Sequence, residues 1–344
     1  MSTIMLSALR MTYSKAIVFR AVYYSSQPEH ASKTINKVVN VAIIGAPNSG
    51  KSTLINNIVE RKICAASNKV HTTTKLVRAM CFQNDTQIIF LDTPGVATEK
   101  EQKRYKLPES MINACHKSLR CADVIGVVHD ISNKFTKDNL HSDVVNMLHS
   151  TQNIPSFLII NKIDRLESKR QLLSVIRNLT NGMIAGNPVQ DPETDSRKKK
   201  RERGYSHFSD IFLVSALNGD GVKDIKDYLM SNAKPASLHF SPEEWTDQTP
   251  ESLIQEAVRA KFLDFLAQEL PYNLKIELEY YEDLGEKIIC SVAVECPSDR
   301  IARLISGAGG GRLQQIKSQT RNDLVDLFKK PVVISIQLKV KPKP

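Results

Sequence analysis

Residues Gly45-Ala46-Pro47-Asn48-Ser49-Gly50-Lys51-Ser52 constrain this chain more than any other stretch. Their spacing is G-x-x-x-x-G-K-[ST]. Ahead of them, residues 38–44 form an apolar, β-branched run that reads as a buried strand. Behind them, residues 53–59 have helical spacing. A glycine turn between a strand and a helix points successive N–H groups and a helix N-terminus at one place, which makes a cradle for phosphate. Gly45 and Gly50 let the backbone wrap an anion without a Cβ in the way. Pro47, Asn48, Ser49 and Thr53 belong to the same cradle. Lys51 would reach β- and γ-phosphates, and the Ser52 hydroxyl would hold Mg2+.

Further pieces follow in order. Residues 68–75, Asn-Lys-Val-His-Thr-Thr-Thr-Lys, form a polar loop before a strand at 76–82. A threonine here can place its hydroxyl on Mg2+ and its N–H on a γ-phosphate, so the loop is ordered by the third phosphate. Thr73 is the first choice and Thr72 the alternative. After an Asn84-Asp85 turn, the strand 88–91 ends in Asp92-Thr93-Pro94-Gly95. Asp92 would orient the metal and its waters, and the Gly95 N–H would meet the γ-phosphate. Residues 96–105 are polar and charged, the composition of a moving loop.

Two more apolar runs, 124–130 and 157–160, read as buried strands. The second leads into Asn161-Lys162-Ile163-Asp164. Asp164 can accept from guanine N1–H and N2–H2, donors that adenine lacks, and such a pairing discriminates strongly. The Lys162 stem would lie along the base, and Asn161 would tie loops together. A strand at 211–214 then precedes Ser215-Ala216-Leu217, whose backbone can touch guanine O6. Motifs in this order, each at the end of a strand, point to GTP and GDP with Mg2+ as cofactors, and exclude an adenylate kinase or ATPase at Asp164.

Hydrolysis needs a water aimed at the γ-phosphorus. Ras-like proteins place a glutamine directly after D-x-x-G; here that position is Val96, so intrinsic turnover is expected to be slow. Asn48 is a candidate ligand for a monovalent cation, K+, bridging the phosphates; its plainer reading is a turn residue.

The rest of the chain frames this machine. Its 344 residues suffice for two domains, and 41% hydrophobic content can build their cores. A net charge of +10 suits a polyanionic partner, either nucleic acid or an anionic membrane. Six cysteines without a C-x-x-C pair read as reduced packing residues. No apolar run approaches the ~20 residues of a membrane-spanning helix. Residues 1–28 hold no Asp or Glu, with Arg10, Lys15 and Arg20 spread among Leu, Ile, Val and Ser, the composition of a mitochondrial transit peptide.

Between Asp164 and Ser215 lie about fifty residues, long for one crossover. Residues 172–179 can form a helix and 182–195 read as loop. Arg197-Lys198-Lys199-Lys200-Arg201-Glu202-Arg203 can touch RNA phosphates or stand as a solvated loop. A helix over 222–230 closes the nucleotide domain, taken as 36–232 with 165–210 as its basic insert. Residues 233–246, with Pro235 and Pro242, are the linker.

The second domain, 247–341, opens with a helix capped by Thr249-Pro250-Glu251. Strands at 274–280 and 287–295 follow, then a helix at 299–305. The glycine stretch Gly307-Ala308-Gly309-Gly310-Gly311 leads into a helix over 312–328, and an alternating strand ends the domain. The order α-β-β-α-α-β with G-x-x-G between paired helices is a KH arrangement, of type II, which binds single-stranded RNA. Gly307, Ala308, Gly309 and Gly310 would face the RNA backbone, with Arg303, Arg312 and Lys317 beside them. The fold class is therefore α/β: a P-loop GTPase domain with a mixed, mostly parallel sheet, followed by a smaller α+β KH domain.

Over roughly residues 38–341 the sequence resembles the Era family of GTPases, and its N-terminus is similar to the mitochondrial, Era-like branch. The resemblance rests on GAPNSGKST, the K-V-H-T-T loop, LDTPG, NKID, SAL, Thr246-Asp247-Gln248, Glu269-Leu270-Pro271-Tyr272 and the glycine loop. It implies an RNA-binding GTPase of small ribosomal subunit assembly in the mitochondrial matrix. Its KH domain would sit near the 3′ end of the small mitochondrial rRNA. It also implies hydrolysis with a hydrophobic residue after D-x-x-G. Two departures stand out. Thr74-Lys75 replaces the usual arginine after the switch threonines, and Ala308-Gly309 replaces the basic residue usual between the loop glycines. The alternative is a nucleotide-gated binding protein of low turnover, acting on a protein partner or peripherally on the inner membrane. No stable oligomer is expected.

Overall fold

The computed structural model describes residues 36–67, 76–93, 95, 115, 117–166, 172–189, 204–267 and 270–340. The 1–28 leader, Thr72 and Thr73, Val96 with its loop, the 197–203 basic run and Glu269 lie outside the described residues.

The first layer is built in chain order. Strand β1 (Lys37–Ile44) runs into the phosphate loop and helix α1 (Lys51–Val59). Strands β2 (Val77–Gln83) and β3 (Thr86–Asp92) form a hairpin through the Asn84-Asp85 turn. Then come β4 (Val124–Asp130), α2 (Ser142–Ser150), β5 (Ser156–Asn161) and α3 (Leu172–Leu179). A short hairpin, β6 (Met183–Ile184) and β7 (Asn187–Pro188), precedes β8 (Phe208–Val214) and α4 (Val222–Asn232). The sheet order is β2-β3-β1-β4-β5-β8, parallel except for β2. Both of its faces are covered, which is why its strands read as apolar runs rather than alternations. On β1, Val39, Val41 and Ile43 pack with Leu54, Ile55 and Ile58 of α1, while Ala42 and Ile44 join the opposite cluster with Val144 and Leu148.

The stretch read as a linker is fixed to this sheet. Strand β9 (Lys234–Pro235) pairs antiparallel with the start of β1. Leu238 and Phe240 pack on Met80, Ile89 and Leu91. Buried Gln87 accepts from His239 N (3.0 Å) and Phe240 N (3.3 Å), and donates to Phe240 O (2.9 Å). The 182–195 segment, read as loop, also differs: it contains the β6–β7 hairpin.

The C-terminal unit begins with α5 (Pro250–Phe265), whose Thr249 cap accepts from Ser252 N. Strands β10 (Lys275–Asp283) and β11 (Ile288–Cys296) pair antiparallel. Helices α6 (Asp299–Ser306) and α7 (Gly311–Phe328) follow, and β12 (Val332–Val340) pairs parallel with β11. This mixed three-stranded sheet and its α-β-β-α-α-β order meet the expectation of a smaller α+β unit. Val292, Val294, Ile334 and Ile336 pack with Ile254, Val258 and Phe262 of α5 and with Ile316 and Leu324 of α7.

The turn after α1 meets this unit directly. Glu60 takes a left-handed φ of 57° and ends the helix. Arg61 Nη1 then donates to Leu327 O at 3.0 Å, with its guanidinium 5.2 Å from the Trp245 ring. Lys62 Nζ lies 2.7 Å from Asp323 and 3.4 Å from Asp326, and Lys261 reaches Asp323 at 2.7 Å. On edge strand β2, Arg78 pairs with Asp247 (2.8 Å), and Met80 N donates to Trp245 O (3.0 Å).

Candidate nucleotide site and glycine loop

A cleft of about 370 Å3 is lined by the loops that follow β1, β3, β5 and β8. Neighbours β3 and β4 leave β1 on opposite sides, and such a switch point is where open α/β sheets bind ligands. The glycines show why the loop needs them. A Cβ on Gly50 (φ 99°) would lie 2.2 Å from Asn161 Nδ2, and one on Gly95 would lie 2.9 Å from Pro47 Cα. The phosphate loop is thus pressed on both sides by the next two motifs.

Lys51 is buried and donates from Nζ to Gly45 O (3.1 Å) and Ala46 O (3.0 Å). Burial pushes its ammonium below lysine's usual pKa, with the Asp92 carboxylate opposing the shift. Ser52 Oγ donates to buried Asp92 Oδ2 at 2.9 Å, so the hydroxyl and carboxylate predicted to serve a metal are together. Thr93 Oγ1 donates to Ile43 O at 2.7 Å and locks the end of β3 against β1. Two buried thiols border this spot. Burial, then Asp92, pushes Cys64 well above the ordinary thiol range; burial also raises Cys115, opposed by Lys51.

Among the described residues no group of three or more His, Cys, Asp or Glu could hold a metal by itself. Mg2+ binds through one or two protein oxygens plus substrate phosphates. Oxygens from Ser52 and Asp92 fit this hard cation.

The base-reading motifs converge through Asn161. Its Nδ2 donates to Ser49 O (2.8 Å), and its Oδ1 accepts from Lys162 N (2.7 Å) and Ala216 N (2.9 Å). One buried amide therefore joins the phosphate loop, the NKID turn and the SAL turn. Ser215 Oγ donates to Asp164 Oδ1 at 2.6 Å and itself accepts from Asn218 N. That bond orients the Asp164 carboxylate. Leu217 is 71% exposed at the rim. Lys162 crosses to the phosphate loop, donating to Asn48 O (2.8 Å) and Asp130 Oδ2 (2.6 Å). Asp130 lies outside every motif of the sequence. The signal was available: a carboxylate ends a buried strand, as Asp92 does.

The glycine loop lies between α6 and α7. Gly307 (φ 75°), Gly309 (φ 59°) and Gly310 (φ 76°) all take positive φ, which glycine adopts at no steric cost. A Cβ on Gly307 would lie 2.9 Å from Arg312 Cβ, whereas Gly309 faces open space. Arg303, Ala308, Gly309 and Arg312 are exposed and Lys317 is half-buried. Arg312 Nη1 caps α6 by donating to Leu304 O at 2.7 Å.

Known proteins match both parts. A family model described as a 50S ribosome-binding GTPase matches residues 40–162, which ends inside the NKID motif. Mitochondrial GTPase Era of Danio rerio is 32% identical, with 92% of this chain and 77% of that protein covered. A crystal structure of Era in complex with MgGDPNP and nucleotides 1506-1542 of 16S ribosomal RNA is 25% identical. It covers 90% of this chain and 95% of its own at a TM-score of 0.70. Era of Aquifex aeolicus, a variant bound to GDP.AlF4-, is 26% identical, with 89% and 95% covered and a TM-score of 0.70. With that identity sustained over 92% of its length and the same fold in both parts, this chain belongs to the Era family of GTPases.

Proposed function

We propose that this protein is a mitochondrial GTPase that holds small-subunit mitochondrial rRNA through its glycine loop and assists assembly of the small ribosomal subunit. GTP binding and hydrolysis switch the RNA-bound state. The observation that carries the reading is the likeness, over 90% of the chain, to an Era solved with both MgGDPNP and 16S rRNA nucleotides. The acid-free leader and the relatives named as mitochondrial support the compartment, taken as the matrix.

In this reading Lys51 exchanges its loop carbonyls for phosphate oxygens when GTP enters. Mg2+, when bound, offsets charge on the β- and γ-phosphates. Ser52 and Asp92 hold and orient it, with Thr73 as the switch hydroxyl. The Gly95 N–H meets the γ-phosphate, and the missing Cβ permits its close approach to Pro47. Asp164, oriented by Ser215, reads the guanine edge, and the Ala216 and Leu217 backbone borders O6. Asn48 is the candidate K+ ligand. With Val96 after the glycine, turnover is slow.

The path to RNA is short. Helix α1 starts at the phosphate loop, and the turn at its end grips the last turn of α7. The far end of α7 is the glycine loop. A second cleft of about 530 Å3 lies between that turn, α5 and α7, and shares Thr53, Ala65, Ala66, Ala216 and Leu217 with the nucleotide cleft. Coupling of this kind is worth about 1–3 kcal/mol between sites.

The test is binding of an oligonucleotide from the 3′ end of the small mitochondrial rRNA by the full chain, in Mg2+ with a GTP analogue or GDP. A several-fold affinity difference between the two nucleotides supports the switch. Equal affinity removes it. No RNA affinity at all favours a nucleotide-gated protein acting on a protein partner or peripherally on the inner membrane.

A further inference from the structure

The base-reading lysine of this chain has an anchor that no motif includes. Strand β4 ends at Asp130, paired in register with Asn161 at the end of β5. Ile131 N donates to Asn161 O at 3.2 Å, so the two strand ends are held side by side. Asp130 uses both carboxylate oxygens. Oδ1 accepts from Ser132 N (2.8 Å) and Ser132 Oγ (2.6 Å), which fixes the carboxylate plane. Oδ2 then accepts from Lys162 Nζ at 2.6 Å.

Lys162 needs such an anchor. Its backbone sits at φ 66°, a conformation uncommon for a residue with a side chain. From there its stem bridges to the phosphate loop, where Nζ donates to Asn48 O at 2.8 Å. Asn48 is itself left-handed, at φ 59°. A carbonyl alone would leave the ammonium without a counter-charge in a site where both side chains are only about one-fifth exposed, Lys162 23% and Asp130 20%. Hydrogen bonds between charged partners are shorter and roughly twice as strong as neutral ones. Burial would raise the Asp130 pKa, but the bonds from Lys162 and Ser132 outweigh it and hold the carboxyl below its usual range.

We infer that Asp130 is a positioning residue for guanine nucleotide binding: it locks the Lys162 stem across the base end of the cleft and ties the NKID turn to the phosphate loop. Asp130 does not touch the phosphates in this scheme; it acts through Lys162. The inference rests on the guanine-nucleotide reading of the site.

The test is a double-mutant cycle on the full chain, with affinity for a fluorescent GDP analogue as the readout. Asp130→Asn, which keeps the shape and removes the charge, is expected to weaken binding roughly tenfold, the scale of a lost charged hydrogen bond. It should raise KM for GTP while leaving kcat within about twofold, because the pair lies at the base end. In a Lys162→Met background the same change should add less than about twofold. Asp130→Glu, which keeps the charge, should recover most of the affinity. An Asn variant that binds as the parent does overturns the inference. So does a full loss that persists beside Lys162→Met, or a Glu variant as weak as Asn. Absence of GDP binding by the parent chain would instead overturn the site reading on which it stands.

Discussion

Lys62 Nζ lies 2.7 Å from Asp323 Oδ1, and that contact joins the turn after α1, a helix that starts at the phosphate loop, to α7, a helix that starts at the glycine loop. Helix α7 has 18 residues and so spans about 27 Å. In the proposed switch, a small displacement where Asp323 sits would become a displacement of the glycine-loop end. The Lys62 side chain is 47% exposed, so the pair adds little to stability, about 0.2–1 kcal/mol. Lys62→Ala should therefore leave urea unfolding nearly unchanged. It should shrink the difference in RNA affinity between the GTP-analogue and GDP states. An undiminished difference would move the coupling elsewhere.

Base reading gives the second prediction. Asp164→Asn replaces an acceptor with an amide that can donate to the C2 oxygen of xanthine. GTP affinity should fall by at least tenfold, and xanthosine triphosphate should bind better than GTP. Competition against labelled GDP measures both. Guanine preference surviving in the variant would refute the role given to Asp164.

The glycine loop offers a cleaner test than its outer glycines alone. Gly307→Asp and Gly310→Asp should abolish RNA binding, yet a side chain at Gly307 also collides with Arg312. Ala308 is exposed and a Cβ on Gly309 meets nothing within 4 Å. Ala308→Asp with Gly309→Asp thus adds negative charge without a collision, the cost being a side chain at the positive φ of Gly309. RNA affinity should fall by tenfold or more while GTP affinity stays within about twofold. Filter binding at fixed salt reads it; retained RNA affinity counts against the loop.

His129 predicts a pH dependence of stability. It is buried, and its Nε2 donates to Lys137 O at 2.9 Å, which requires the neutral ring or a costly buried charge. Burial lowers its pKa, against smaller opposing effects. The unfolded chain takes up a proton near pH 6.5 while the folded one does not. Its contribution is thus complete above that pH and is lost progressively as pH falls toward the lowered folded value. Unfolding free energy should drop between pH 7.5 and 5.5, and His129→Gln should flatten that slope. An unaltered slope in the variant assigns the effect to other groups.

The sequence made some features plain for physical reasons. Strands β1, β4 and β5 are buried on both faces, so they appear as unbroken apolar runs. The Thr249-Pro250-Glu251 cap is local chemistry and marks the start of α5 directly. What was not legible depends on distant residues. Residues 233–246 look like a linker because they are polar and proline-bearing, and what holds them to the sheet, Gln87, Met80, Ile89, Leu91 and the start of β1, lies far back in the chain. The β6–β7 hairpin turns on Ala185 and Gly186, both at positive φ, and alanine there hides the usual Asn-Gly signal. Asp130 carries no motif of its own, because its importance lies in Lys162, just past the end of another strand.

The most direct test of the account is crosslinking of the tagged full chain to RNA inside mitochondria, compared with the Ala308→Asp, Gly309→Asp variant. Reads should concentrate near the 3′ end of the small-subunit rRNA and be lost in the variant. Reads scattered over many RNAs, or unchanged in the variant, would contradict it.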